Sequence, residues 1–256
     1  MTDSSPVLVE RRGRVTLITL NRPEARNAVD LPMARGIAAA LVALDADTEV
    51  AVGVITGAGA GFCSGLDLNA FVSGEFPYVD DRGFAGITRR SADKPLIAAI
   101  EGFAIAGGLE IALACDLIVA SRGAQLGIPE VRRGLVAAGG ALLRLPQRMP
   151  YGIAMEMALT GEPIDAERAA ELGLVNCLCE PGEAVEAALE LAGAVGENAP
   201  LALRASKQIL ERQRTWSLQE RWARQAEIAE LVLRSEDARE GATAFVERRA
   251  PVWRGL

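Results

Sequence analysis

The stretch GFAIAGGLEIALACDLIVAS, residues 102–121, constrains this chain more than any other. Up to Cys115 it is an apolar run interrupted by one acid, Glu110, which follows the Gly107-Gly108 pair. A carboxylate in such a run is costly to bury unless it is paired or put to use. The spacing predicts a helix that starts at the two glycines. A helix N-terminus leaves backbone N–H groups unpaired, so an oxygen that gains negative charge can be held there, and glycine lets it come close. Glu110 then lies in the first turn, beside any ligand at that end. The plainer reading is an acid that complements the helix dipole, worth under about 1 kcal/mol.

The surrounding pattern is that of an α/β protein. RVTLITLN and VAVGVIT read as strands, and DLPMARGIAAALVALDAD between them carries a helical apolar period behind an Asp cap. The same alternation returns in KPLIAAIEG, the Gly-Gly segment and CDLIVAS, which predicts parallel pairing through about residue 130. From Ala137 onward Ala, Leu, Glu and Arg dominate, with TGEPI and NAP as separators, so the last part is expected to be mostly helical. The division expected is a core over residues 1–195 and a helical extension over 196–256. The least regular stretch, residues 71–94, reads as a loop or broken helix beside a cavity, with Phe71, Phe76, Tyr78 and Phe84 shaping it or packing locally.

Composition narrows the chemistry. The 256 residues are half apolar, enough for a sizeable core and an enclosed site. A net charge of -7 argues against nucleic acid or an anionic membrane as partner. Histidine is absent, which excludes Ser-His-Asp and Cys-His catalysis and removes the commonest metal ligand. The cysteines, Cys63, Cys115, Cys177 and Cys179, fit neither a zinc ribbon nor a thioredoxin-type pair and are expected to be reduced and mostly buried, with no metal site. No run is long enough to span a membrane, and MTDSSPVLVERRG lacks the apolar block of a signal peptide, so a cytoplasmic protein is expected.

Two further features bear on a site. VITGAGAGFCSGLDL follows a strand, but Phe62 stands where a dinucleotide fingerprint needs glycine, so it reads as a packed turn. After DLIVAS comes GAQLGIPEVRRG, which places Glu130 behind Pro129 in a connecting segment where functional groups are often presented. Its plainer reading is a solvated carboxylate paired with Arg132 or Arg133. Spacing alone does not bring Glu110 and Glu130 together.

The ordered blocks LNRPEARNAV, GFCSGLDL, KPLIAAIEGFAIAGGLEIALACDLIVAS, QLGIPEVRRGL, EMALTGEPIDAERAAELGLVN and SEDAREGATAFVERRAPVW run nearly the whole chain. Through them the sequence resembles the crotonase family, the enoyl-CoA hydratases and isomerases. The resemblance implies a spiral of ββα turns and a helical C-terminal region that assembles homotrimers, commonly paired into hexamers, and helps complete the active site. It implies an acyl-CoA thioester as substrate, with coenzyme A part of that substrate and no separate cofactor. Two backbone amides that hold the thioester oxygen correspond to Leu66 and Gly107. The two glutamates of the family's hydratases match Glu110, assigned to the water, and Glu130, assigned to the Cα proton. Ser64, Leu66, Asp67, Leu68, Asn69 and Gly107, with Arg22 and Arg26 toward the nucleotide, are the implied substrate-binding residues; capping explains Asp67, and ordinary surface charge explains the arginines, equally well.

Retention of both acids favours hydration of a 2-enoyl-CoA, or the reverse dehydration. Δ3,Δ2-enoyl-CoA isomerisation or another crotonase reaction is the alternative. An acyl-CoA-binding or RNA-binding scaffold would call for a degraded acid pair or a basic patch, and neither is visible. The chain departs from the usual hydratase pattern at Ile128, where a polar residue is common, and at Val136-Ala137-Ala138, where a Pro-Gly-rich turn is common. In this it resembles carnitinyl-CoA dehydratase-like members.

Overall fold

A computed structural model describes residues 5–256. Strands β1 (Val7–Arg12) and β2 (Val15–Leu20) form an antiparallel hairpin turned at Gly13, whose φ is +62°. Helix α1 (Leu31–Ala46) starts on Asp30, whose carboxylate accepts from the Met33 amide. It leads to β3 (Val52–Gly57), parallel to β2. Next come α2 (Leu68–Val72) and a small hairpin of β4 (Tyr78–Val79) and β5 (Gly83–Phe84). The stretch expected as a loop or broken helix takes in the end of α2, this hairpin and an irregular connection over residues 85–94.

Two strand-strand-helix turns follow. Strands β6 (Leu96–Ile100) and β7 (Phe103–Ile105) precede α3 (Gly107–Leu113), and β8 (Leu117–Ser121) and β9 (Gln125–Gly127) precede a 3₁₀ turn over Pro129–Arg133. The first strand of each turn joins the large sheet and the second joins a small one. Helices α4 (Ala141–Arg148) and α5 (Tyr151–Thr160) are followed by β10 (Ile164–Asp165), α6 (Ala166–Glu171) and β11 (Cys177–Cys179). The chain ends with α7 (Ala184–Gly196), α8 (Pro200–Arg212), α9 (Arg221–Leu233) and α10 (Glu236–Glu247). The large sheet runs β1-β2-β3-β6-β8-β11, parallel from β2 onward, and the small sheet runs β10-β9-β7.

Alternation along the strands divides the core. Val52, Val54, Ile97, Ala99 and Val119 face one way and pack on Ala184, Ala188 and Ala192 of α7. The four-residue spacing of these alanines puts them on one helix face, where small side chains let the helix lie close to the sheet. Ile55, Leu96, Ala98, Ile100 and Ile118 face the other way and join Ile37, Leu41 and Leu44 of α1 and the apolar residues of α3. The last helices are mostly exposed: α9 buries no residue, and Trp222, Leu231, Leu233, Phe245 and Val246 all face outward. The expectation for the cysteines is corrected in part, since Cys63 and Cys115 are buried but Cys177 is exposed and Cys179 half-buried. Cys177 occupies an edge strand, where alternate side chains leave the core.

Asn27 fastens the loop between β3 and α2. Fully buried at φ +54°, it donates to the carbonyls of Ala58, Gly61 and Phe62 and accepts from the Arg22 amide. Replacing Asn27 with Ala strips those carbonyls of their donor and is expected to lower stability to denaturant by on the order of 3 kcal/mol. An unfolding midpoint unchanged from wild type would show that this side chain does not anchor the loop.

Candidate active site

Two backbone segments are stitched side by side beneath the main cavity. Cys63 pairs with Ala104 in an isolated parallel bridge, and the Ile105 amide donates to the Cys63 carbonyl. On the other side Leu66 pairs with Val29 through the Gly65 carbonyl and the Asp67 amide, an arrangement that does not use the Leu66 N–H. The Gly107 N–H opens α3 and likewise has no partner among the described residues. Ala106, just before it, holds φ +54° and ψ -126°, a region that strains a residue bearing a Cβ by about 1–3 kcal/mol. The strain lies at the turn that sets the direction of the Gly107 amide.

The glycines answer to this close approach. A Cβ at Gly65 would sit 2.8 Å from the Gly107 nitrogen, and one at Gly107 would sit 2.5 Å from the Phe84 ring. At Gly108 it would collide with the Cys63 carbonyl. The Gly-Gly pair is thus required by the packing of two backbones as well as by any ligand.

A cavity of about 490 Å³ opens over these amides. Of the residues singled out in the sequence, Arg26, Ser64, Leu66, Asp67, Leu68, Asn69 and Gly107 line it, and so do both glutamates. Phe71, Phe76, Tyr78 and Phe84 form an aromatic part of the wall, with edge-to-face contacts between Phe71 and Phe76 and between Tyr78 and Phe84. Val136 and Ala138, from the departing segment, also contribute. Arg26 lies 4.4 Å over the Phe103 ring. Arg22 does not reach the wall: its guanidinium bridges Asp67 and Asp30 at 3.0 and 3.1 Å and donates to the Ala28 carbonyl. Asp67 in turn caps α2 through the Asn69 and Ala70 amides. Burial opposes its ionisation, but those amides and Arg22 outweigh it and hold Asp67 below the usual carboxylate range. This pair joins the caps of α1 and α2 beneath the cavity.

Glu110 is 4% exposed and accepts from the Ala141 amide at 3.2 Å. Burial pushes its carboxyl up from the ordinary 4.5 to about 7, with Glu130 adding to the rise and the Ala141 and Gly139 amides and Arg144 opposing it. Glu130, on the 3₁₀ turn, is also pushed up by burial, against its own backbone amide and the charge of Arg133. Its Oε2 is buried without a hydrogen-bond partner among the described residues. Ile128, itself 2% exposed, offers that oxygen no donor. The pair that sequence spacing left apart is therefore on one wall, with Glu110 placed to exchange a proton near neutral pH and Glu130 shifted in the same direction.

Several contributors carried little signal in the sequence. Gly139 is one, because a Cβ there would strike the Glu110 carboxylate. The amide of Ala141, at the start of α4, is another, since backbone donors leave no residue signature. Arg133 lines the cavity, whereas Arg132 turns away to Glu162 and the Thr160 carbonyl. Among the described residues no group of three or more His, Cys, Asp or Glu is placed to hold a metal ion.

Residues 10–255 match the family described as enoyl-CoA hydratase/isomerase. The chain belongs to that family, and its fold is the crotonase spiral. It is 41% identical over 260 residues to a carnitinyl-CoA dehydratase of Salmonella typhi, covering 98% of this chain and 99% of that protein. An enoyl-CoA hydratase of Mycobacterium tuberculosis is 40% identical over 259 residues, at 97% of each chain. A crystal structure of an enoyl-CoA hydratase from the same organism superposes with a TM-score of 0.97 at 54% identity, covering 99% of this chain and 100% of that one.

Two measurements probe this geometry. Gly139→Ala should displace the Glu110 carboxylate and lower turnover by roughly 10- to 100-fold with the fold intact, the scale of small misplacements in active sites. Full turnover in that variant would show that Glu110 tolerates the displacement. Between pH 4.5 and about 7 the folded chain retains a proton on Glu110 that the unfolded chain has released, so stability falls as pH rises through this window. Glu110→Gln removes that term, and its stability relative to wild type should gain about 1–3 kcal/mol from pH 5 to pH 8. A difference independent of pH would contradict the raised proton affinity.

Proposed function

We propose that this chain hydrates the α,β-double bond of a 2-enoyl-CoA thioester, or catalyses the reverse dehydration. The observation that carries the reading is one cavity walled by a buried and a half-buried glutamate and by two amides without partners among the described residues. The thioester oxygen lies between the Leu66 and Gly107 N–H groups, which draw electron density from Cβ. Water adds there, its proton goes to Glu110, and Glu130 delivers a proton to Cα, so the elements of water are added across the bond. Donors placed where charge develops act strongly in a water-poor site; losing one typically costs on the order of 100- to 1000-fold in rate. Burial disfavours two neighbouring charges, so the acid pair holds one proton near neutral pH.

The relatives named hydratase and dehydratase support a hydro-lyase. Coenzyme A enters as part of the substrate, and no other cofactor takes part. Arg26 and Asn69, on the cavity wall, are assigned to the coenzyme side. The exposed apolar residues of α9 and α10 support assembly into trimers or hexamers, with residues 196–256 as the oligomerising region. Within one chain the cavity wall uses residues 25–139, so a contribution of that region to a site would be made to a neighbouring subunit.

Glu130→Gln should keep its fold and its affinity for butyryl-CoA while turnover on crotonyl-CoA, followed by loss of enoyl absorbance, falls roughly 100- to 10,000-fold. Wild-type turnover in this variant would remove Glu130 from the chemistry. Wild-type protein that leaves crotonyl-CoA and longer 2-enoyl-CoAs unchanged but conjugates a 3-enoyl-CoA would indicate the isomerase reaction instead.

A further inference from the structure

The 3₁₀ turn over Pro129–Arg133 makes a second assignment that rests on the hydration reading. In a 3₁₀ helix side chains three residues apart eclipse one another, so Glu130 and Arg133 share a face while Arg132 does not. The contacts agree. Arg132 is bound on the outside by Glu162 and the Thr160 carbonyl, and Glu130 and Arg133 both line the cavity. Arg133 has no hydrogen-bond or ion-pair partner among the described residues, although neighbouring arginines do. The cavity wall that follows it is apolar, formed by Leu135, Val136 and Ala138. That segment ends at Gly139 and Ala141, which hold Glu110, the acid assigned to Cβ. Along the chain Arg133 thus follows Glu130 and precedes the residues that hold Glu110, in the wall of the same cavity.

We infer that Arg133 selects an acyl chain that ends in a carboxylate, separated from the double bond by a short methylene spacer. A guanidinium on an apolar wall gains most from a planar anion, which it can grip with two parallel N–H donors. Its Cα stands about 6 Å along the turn from that of Glu130, roughly the span of four or five extended carbon-carbon bonds. The selective contact falls on a part of the chain that takes no part in the reaction, so it acts on substrate choice.

The test compares trans-2-hexenoyl-CoA with its analogue in which a carboxylate replaces the terminal methyl. Wild type should favour the carboxylate by at least about tenfold in kcat/KM, the scale of a charge-assisted hydrogen bond. Arg133→Ala should lower the preference for the carboxylate, read as the ratio of kcat/KM on the two substrates, by roughly 10- to 100-fold, a ratio in which any effect through Glu130, common to both, cancels. Arg133→Glu should suppress the carboxylate further while still turning over the neutral chain, which also shows that the variant folds. Equal losses on both substrates would overturn the inference, because they would place Arg133 on the coenzyme phosphates or on Glu130. Hydration of the neutral chain with no preference for the carboxylate would overturn the inference alone. Hydration of neither would overturn the hydratase reading with it.

Discussion

Two amides, of Leu66 and Gly107, are left without partners among the described residues because the segments carrying them are committed elsewhere. Residues 63–67 are bridged to Ala104 on one side and Val29 on the other, and each bridge bypasses the Leu66 N–H. Residues 103–105 belong to the small sheet, and the strained turn at Ala106 ends that pairing before Gly107. Such groups are normally satisfied, and an unmet donor beside a cavity retains its capacity for a ligand. The glycines at 65, 107 and 108, the buried Asn27 and the Arg22 bridge between two caps all maintain this arrangement.

The acids show the same opposition between stability and use. A carboxyl as buried as Glu110 weakens the fold in its ionised form, and the amides at 139 and 141 offset only part of that penalty. Glu130 leaves one oxygen unpaired. Neither acid forms an ion pair with a described residue, which a purely structural acid in such a place would need. Two acids held in this way, both with raised proton affinity, suit a reaction that must remove one proton and donate another.

Much of the architecture was legible in the chain. Apolar strands of five or six residues, buried almost throughout, and a capped sixteen-residue helix leave a clear pattern, and β2, α1, β3, β6 and β8 lie where that pattern puts them. The small sheet was not legible from periodicity, because β7, β9 and β10 have three, three and two residues, too few to show alternation. The strand-strand-helix spiral was therefore expected from family resemblance alone. At the site, Glu110 was conspicuous as the single acid between Gly102 and Cys115, whereas its meeting with Glu130 depends on β9 pairing alongside β7. Gly139 and Arg133 carried no mark: one acts by lacking a side chain, and the other is one of two adjacent arginines whose opposite directions follow only from the 3₁₀ geometry.

The central claim concerns where a substrate's carbonyl rests. A crystal structure with butyryl-CoA, which lacks the double bond and does not react, addresses it directly. The account predicts the thioester oxygen about 3 Å from both the Leu66 and Gly107 nitrogens, with Glu110 and Glu130 turned toward Cβ and Cα. A thioester oxygen bound to other groups, with those two amides facing water or protein, would contradict it.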